Sequence, residues 1–110
     1  GKPMKTVDRI ELIIPSAFAQ HRLLAKLDEW GIEGYSIIRE VLGKGESGFK
    51  EGDLPVDVGR NWYVLIACEK DRTQDIVHAF RPVISKYGGV CLVSETRMLK
   101  KNPESEGGIF

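Results

Sequence analysis

No stretch of this sequence approaches the roughly 18 consecutive apolar residues that a membrane-crossing helix needs, so direct membrane insertion is not expected. The opening run Gly1-Lys2-Pro3-Met4-Lys5 lacks the apolar segment of a secretion signal and leads straight into a strand pattern; a cytoplasmic protein is expected. An excess of one charge is missing too. Sixteen Lys and Arg balance sixteen Asp and Glu, so no global field draws the chain onto nucleic acid or an anionic bilayer, and any anion site has to be local. Aromatics make up only 8 % of the chain, and the first and fourth strand patterns carry no aromatic pair on which bases could stack, which argues against a nucleic-acid partner. Cysteine is confined to Cys68 and Cys91, each inside an apolar strand pattern without a second Cys or His at ligand spacing. Buried, reduced thiols and no metal site are therefore expected. The two histidines, His21 and His78, fall on different helical patterns, with no activated nucleophile or paired carboxylates nearby, so no catalytic residue is assigned. His78 lies opposite the Phe80 stripe, as expected of a surface or interface histidine.

What is present is 42 % hydrophobic content spread over 110 residues, enough for one core and hardly two. One domain spanning residues 1–110 is expected. In Val7 to Ile14 the alternation puts Ile10, Leu12 and Ile14 on one face of a first strand. Pro15 ends it, and Ser16 is placed to cap a helix whose Leu23, Leu24, Leu27 and Trp30 form a stripe and which Gly31 stops. A second strand reads from Gly34 to Leu42, with Tyr35, Ile37 and Val41 on one side and Ser36, Ile38 and Leu42 on the other. A third follows from Arg60 to Glu69. Asp71 and Gln74 have capping-box spacing at the start of a second helix, whose core stripe is Ile76, Phe80, Val83, Ile84 and Tyr87. Pro82 interrupts that pattern and predicts a kink or break near residues 78–81. Val90 to Arg97 is the fourth strand, and residues 98–110 read as a polar tail.

This order gives an α+β, ferredoxin-like βαββαβ sandwich with both helices on one sheet face. The third strand decides what happens to the other face. Trp62, Val64, Ile66 and Cys68 make one side apolar, and Tyr63, Leu65 and Ala67 make the opposite side apolar as well. A strand apolar on both sides is normally buried on both, and two helices cover only one. The bare side is expected to pack on other copies of the chain.

Between strands two and three, residues 43–59 hold five glycines, Pro55 and mixed charges, a loop longer than compact domains usually keep without a function. It opens with Gly43-Lys44-Gly45. Glycine lets backbone approach a phosphate closely and lysine adds positive charge; Gly88-Gly89, before the fourth strand, offers a second such turn.

The order of these elements, the Gly-Lys-Gly turn at the base of a long loop and the Gly-Gly turn before the last strand resemble the PII signalling superfamily, over Val7 to about Lys101. Gly34-Tyr35-Ser36, Leu42-Gly43-Lys44-Gly45-Glu46-Ser47 and Tyr87-Gly88-Gly89 resemble the SbtB type and the carboxysome-associated PII type, the branch linked to inorganic-carbon uptake. The resemblance implies a homotrimer that holds ADP or AMP between subunits, with bicarbonate as a further ligand. It also implies signalling through residues 43–59, the T-loop, to a membrane transporter, in the cytoplasm or with the carboxysome. By the same resemblance Gly43, Lys44 and Gly45 stand beside the nucleotide phosphates, Ser36 and Ile38 read the adenine or ribose, and Gly88 and Gly89 meet the phosphates by backbone. Arg97 and Lys100 reach the phosphates across the interface, and Lys44, Arg60 and Arg97 are the bicarbonate candidates. The loop has Phe49 and no Tyr, so uridylylation is not expected. The missing basic residue of the Gly-Gly turn favours a diphosphate or monophosphate over a triphosphate. The residues by themselves leave open a small ferredoxin-like oligomeric enzyme, of the isomerase or monooxygenase kind, with a pocket between sheet and helices.

Overall fold

The computed structural model describes residues 3–43 and 59–101; Lys44, Gly45, nearly all of the 43–59 loop and the tail from residue 102 lie outside them. Strands β1 (Met4–Pro15), β2 (Ser36–Leu42), β3 (Arg60–Cys68) and β4 (Val90–Leu99) form one antiparallel sheet in the order β2-β3-β1-β4. Helix α1, over residues 16–29, and helix α2, Thr73–Tyr87, pack on one face. The architecture is the expected α+β ferredoxin-like sandwich.

Ile10, Leu12 and Ile14 stand in register with Ile66, Val64 and Trp62 of β3. They form the layer on which Phe18, Leu23 and Leu27 of α1 and Ile76, Phe80 and Val83 of α2 close. Burying each such side chain contributes about 1.5–3 kcal/mol. Trp30 meets Phe80 edge-on, with ring centroids 4.9 Å apart.

Several local expectations are corrected. Ser16 makes no capping bond; the helix starts at Ser16 itself, behind Pro15. A π-turn at Ala19–Leu23 then shifts the helical register. The buried stripe becomes Phe18, Ala19, Leu23 and Leu27, while Leu24 turns outward at 53 % exposure. The stop at Gly31 is as expected. Its φ is 71°, its N–H donates to Asp28 and that of Ile32 to Leu27, the bond pair of a left-handed helix cap.

The capping box at Asp71 and Gln74 does not form. A 3-10 turn, Lys70–Arg72, leads into α2 without a side-chain cap, and the hydroxyl of Thr73 donates instead to Asp8 Oδ2 at 2.6 Å, tying α2 to β1. Nor does Pro82 break α2, which runs 15 residues through it. The carbonyl that loses its intrahelical donor belongs to the exposed His78.

β2 begins at Ser36, two residues later than expected, and slips register between Ile38 and Val41, where Glu40 has φ 62°. This bulge puts Val41 opposite Asn61 rather than on the side of Ile37, and Leu42 opposite Arg60, 82 % exposed. β4 extends to Leu99, so Met98 and Leu99 belong to the sheet and not to the tail.

The face without helices carries one apolar row and a second in which apolar and polar residues alternate. Ile38, Tyr63, Ile13 and Val90 lie side by side across the four strands, and beside them run Ser36, Leu65, Glu11 and Leu92. Ile38 is 59 % and Leu92 52 % exposed in the single chain.

Candidate ligand-binding site

The two ends of the 43–59 loop are clamped together. Gly43 N–H donates to the Gly59 carbonyl at 3.1 Å, and Asn61 Nδ2 donates to the same carbonyl at 2.9 Å. Gly59 has φ 83°, and a side chain there would meet Gly43 O at 3.2 Å. The loop therefore leaves the sheet from a fixed base, with Arg60 exposed beside it.

Gly88 and Gly89 lie at this same end of the sheet and differ in why they must be glycine. Gly88 closes α2, its N–H donating to Ile84 O at 2.9 Å with φ 89°, and nothing lies within 4 Å of where its Cβ would be. The space on its Cβ side is open, while its N–H is held by Ile84. Gly89, with φ 112°, would place a Cβ 2.3 Å from Ile13 O, so its small size is demanded by β1. This is an internal reason for the glycine that the sequence did not reveal.

Ser36 and Ile38 are exposed on the helix-free face of β2, in register with Leu65 and Tyr63. Because β2 starts at Ser36, no described strand pairs with the outer edge of β3 beyond Leu65. Beside that edge is a cleft of about 300 Å³ lined by residues that include Gly34, Ala67, Cys68 and Arg72. Neither histidine is among its lining.

Arg97 and Lys100 sit elsewhere. Arg97 pairs with Thr6, and Lys100 N–H donates to Pro3 O at 2.8 Å, whereas Gly89 abuts Ile13. Seven residues of β1 separate Thr6 from Ile13, about 24 Å at 3.4 Å per residue. Within one chain, then, Gly43, Arg60, Gly88 and Gly89 share one end of the sheet, and Arg97 and Lys100 occupy the other.

The family model for nitrogen regulatory protein P-II matches residues 7–102. The chain belongs to the P-II family. CPII, a nitrogen regulatory PII-like protein from Thiomonas intermedia K12, matches the P-II chain with a TM-score of 0.71 at 20 % identity, over 88 % of this chain and 97 % of CPII, in a structure bound to ADP, AMP and bicarbonate. A CPII structure bound to ADP and bicarbonate gives 0.70 at 24 % identity, over 88 % and 92 %. A PII-like signalling protein from Thermus thermophilus gives 0.64 at 14 %, over 89 % and 94 %. At these identities the likeness is one of fold. No curated protein matches the sequence.

Electrostatically, the helix-free face of this P-II chain is crossed by one polar chain. Tyr63 Oη donates to Glu11 Oε2 at 2.7 Å, and Arg9 Nε lies 3.5 Å from Glu11 Oε1 and donates to Ser94 Oγ at 3.1 Å. The bond to the Glu11 carboxylate holds the Tyr63 phenol above its ordinary pKa, with burial adding to the effect. On the helix side, Lys70 reaches Glu95 and lies 3.5 Å from Asp8 Oδ1; the bond to Glu95 raises its pKa. Thr73 gives its one hydroxyl proton to Asp8, so the 3.5 Å contact with Cys68 is donated by the thiol. Cys68 and Cys91 are free and partly buried, and burial raises the Cys91 thiol pKa.

Sequence reasoning passed over Arg39 and the indole of Trp62. The Arg39 guanidinium lies 5.8 Å from the centre of the Trp62 ring, and Trp62 Nε1–H is buried without an acceptor, a loss of about 1–3 kcal/mol for such a group. Arg39 follows the Ile38–Tyr63 pair and so comes opposite Trp62 by ordinary strand register, just ahead of the positive-φ residue Glu40 of the bulge. Among the described residues no group of three or more His, Cys, Asp or Glu could hold a metal ion, and no helix is long and apolar enough to cross a membrane.

Proposed function

We propose that this chain is a regulatory PII-like protein. It assembles as a homotrimer, binds ADP or AMP together with bicarbonate in the clefts between subunits, and signals through residues 43–59 to an inorganic-carbon transport system without chemistry of its own. The observation that carries this reading is the split of the candidate residues between opposite ends of one sheet. Arg97 lies about 24 Å along β1 from the Gly89 turn, and Lys100, bonded to Pro3, about 34 Å, too far for one nucleotide to meet both ends within a chain. A ligand contacting both sets takes them from neighbouring subunits.

The helix-free face supports assembly, since Ile38, Tyr63, Ile13 and Val90 form an apolar row flanked by Leu65 and Leu92, a surface of the kind that interfaces bury. Membership of the P-II family and the ligands of CPII support the choice of adenylate and bicarbonate. In this reading Ser36 and Ile38 contact the adenine or ribose. Gly43, Lys44, Gly45, Gly88 and Gly89 stand beside the phosphates, where the missing side chains of the glycines let backbone come close and Lys44 adds charge. Arg97 and Lys100 complete the charge from the adjacent subunit, and bicarbonate draws on Lys44, Arg60 and Arg97. The loop, rooted in the Gly43–Gly59 clamp, carries the ligand state to the transporter. The cytoplasm, with the carboxysome as a further place of residence, fits these ligands.

A thermal-shift screen with ATP, ADP, AMP and cyclic AMP, each with and without bicarbonate, tests the proposal. A ligand at 100 times its dissociation constant adds about 2.7 kcal/mol of apparent stability. Selective stabilisation by ADP or AMP, increased by bicarbonate, is expected; indifference to all four nucleotides would overturn it.

A further inference from the structure

We propose that Arg39, Arg60 and Trp62 form an anion site on the helix side of the loop base, taking a small planar oxyanion of the carboxylate or carbonate class. The inference deepens the bicarbonate part of the reading above and rests on it only for the choice of bicarbonate as a probe.

Trp62 belongs to the core layer at 7 % exposure, yet its indole N–H has no acceptor, the sole buried side-chain nitrogen or oxygen so placed among the described residues. A buried donor without a partner calls for one that is absent from the single chain at rest. Trp62 is otherwise set among apolar side chains, and two cationic side chains share its strand neighbourhood. Arg39 stacks over the ring with its guanidinium 5.8 Å from the centroid, and Arg60, two residues before Trp62 on β3, shares its helix-side face by strand alternation. Neither arginine has a carboxylate partner or a hydrogen bond among the described residues. Two guanidinium groups without an ion pair among the described residues and one orphaned N–H thus belong to the same corner of the helix-side face. That is a deficit of negative charge and of lone pairs at one place.

The chemistry of the donors selects the ligand. A guanidinium offers a planar fork of N–H groups that matches two oxygens of a planar anion, while a single halide cannot satisfy the fork and the indole together. The indole N–H is closed to solvent, so the occupant is small and inserts one oxygen as Arg39 swings from the ring face. Arg39 is free to do so because it lies in the bulge, where the β2–β3 ladder skips from Ile38 to Val41. The site adjoins the Gly43–Gly59 clamp through Leu42 and Arg60, which are register partners. Its occupancy is therefore felt at the root of the loop.

The test uses the full chain with ¹⁵N-labelled tryptophan, the two indole resonances being assigned with a Trp30→Phe variant. Sodium bicarbonate, formate, phosphate or chloride is added at constant ionic strength and without nucleotide. Bicarbonate and formate should move the Trp62 indole resonance saturably, and Arg39→Gln should raise the half-saturating concentration about tenfold, as expected for losing a charge-assisted fork. An unmoved Trp62 resonance, an equal shift with chloride, a response to phosphate alone, or an unchanged half-saturation in Arg39→Gln would each overturn the proposal. Nucleotide is left out, so the failure of adenylate binding leaves this result standing. Conversely, bicarbonate that strengthens ADP binding without moving Trp62 sinks this site and spares the nucleotide reading.

Discussion

Replacing Gly89 with alanine should be among the most damaging single-methyl changes in this protein. Two independent costs act at the position. With φ at 112°, an L-residue occupies a sparsely populated backbone region, at about 1–3 kcal/mol. The new Cβ would also stand 2.3 Å from Ile13 O and 3.2 Å from Ile14 Cα, and relieving a backbone overlap of that kind costs a further 1–3 kcal/mol or so. The sum is about 2–6 kcal/mol, against a total stability of roughly 5–15 kcal/mol for a small domain. Each kcal/mol moves the melting point of a 60–100-residue domain by about 4–8 °C, so a fall of about 8 °C at the least is expected. Gly88→Ala is the control. Its φ of 89° brings the conformational cost, but nothing lies within 4 Å of its Cβ, so it should lose about half as much. Circular-dichroism melts are compared at one chain concentration, because association would itself shift the midpoint. A Gly89→Ala protein that melts as high as Gly88→Ala would refute the assignment of Gly89 to packing on β1.

Leu92→Lys places a charge beside the apolar row of the helix-free face; light scattering should then show single chains in place of the trimer proposed for the parent. The Tyr63 phenol should ionise above its ordinary range because Glu11 accepts its proton. A folded-state pKa above the unfolded value of about 10 means that this bond stabilises the fold below pH 10 and is lost as pH rises through the folded value. Phenolate absorbance, with Tyr63→Phe as reference, should show the titration move back towards normal in Glu11→Gln. Burial raises the Cys91 thiol pKa, so iodoacetamide should label Cys91 more slowly in the folded protein than in urea, as read by peptide mass mapping.

The sheet, its helix-bearing face and the core of α2 were legible because Ile10, Leu12 and Ile14 alternate and Ile76, Phe80 and Val83 repeat at helical spacing. The details that failed share a cause. Leu24, Val41 and Leu42 were misplaced by one inserted residue each in α1 and β2, and a π-turn or a bulge leaves no mark in hydrophobic periodicity. Ser16, Asp71 and Gln74 had the right chemistry for caps, but Pro15 and the Thr73–Asp8 bond fixed those helix starts by tertiary means. Of the site, the glycine turns could be read from composition. The separation of Arg97 from Gly89 could not, since it is a property of strand register. The Arg39–Trp62 stack follows from the pairing of Ile38 with Tyr63, again a property of register, and was equally invisible.

The claim that most of the account depends on is that subunits of this P-II chain meet across their helix-free faces and share nucleotide between them. Native mass spectrometry of the full chain with ADP measures both at once. The account predicts a trimer that takes up three ADP and loses that uptake in Arg97→Ala while remaining a trimer. A single chain, or a trimer that binds no adenylate, would contradict it.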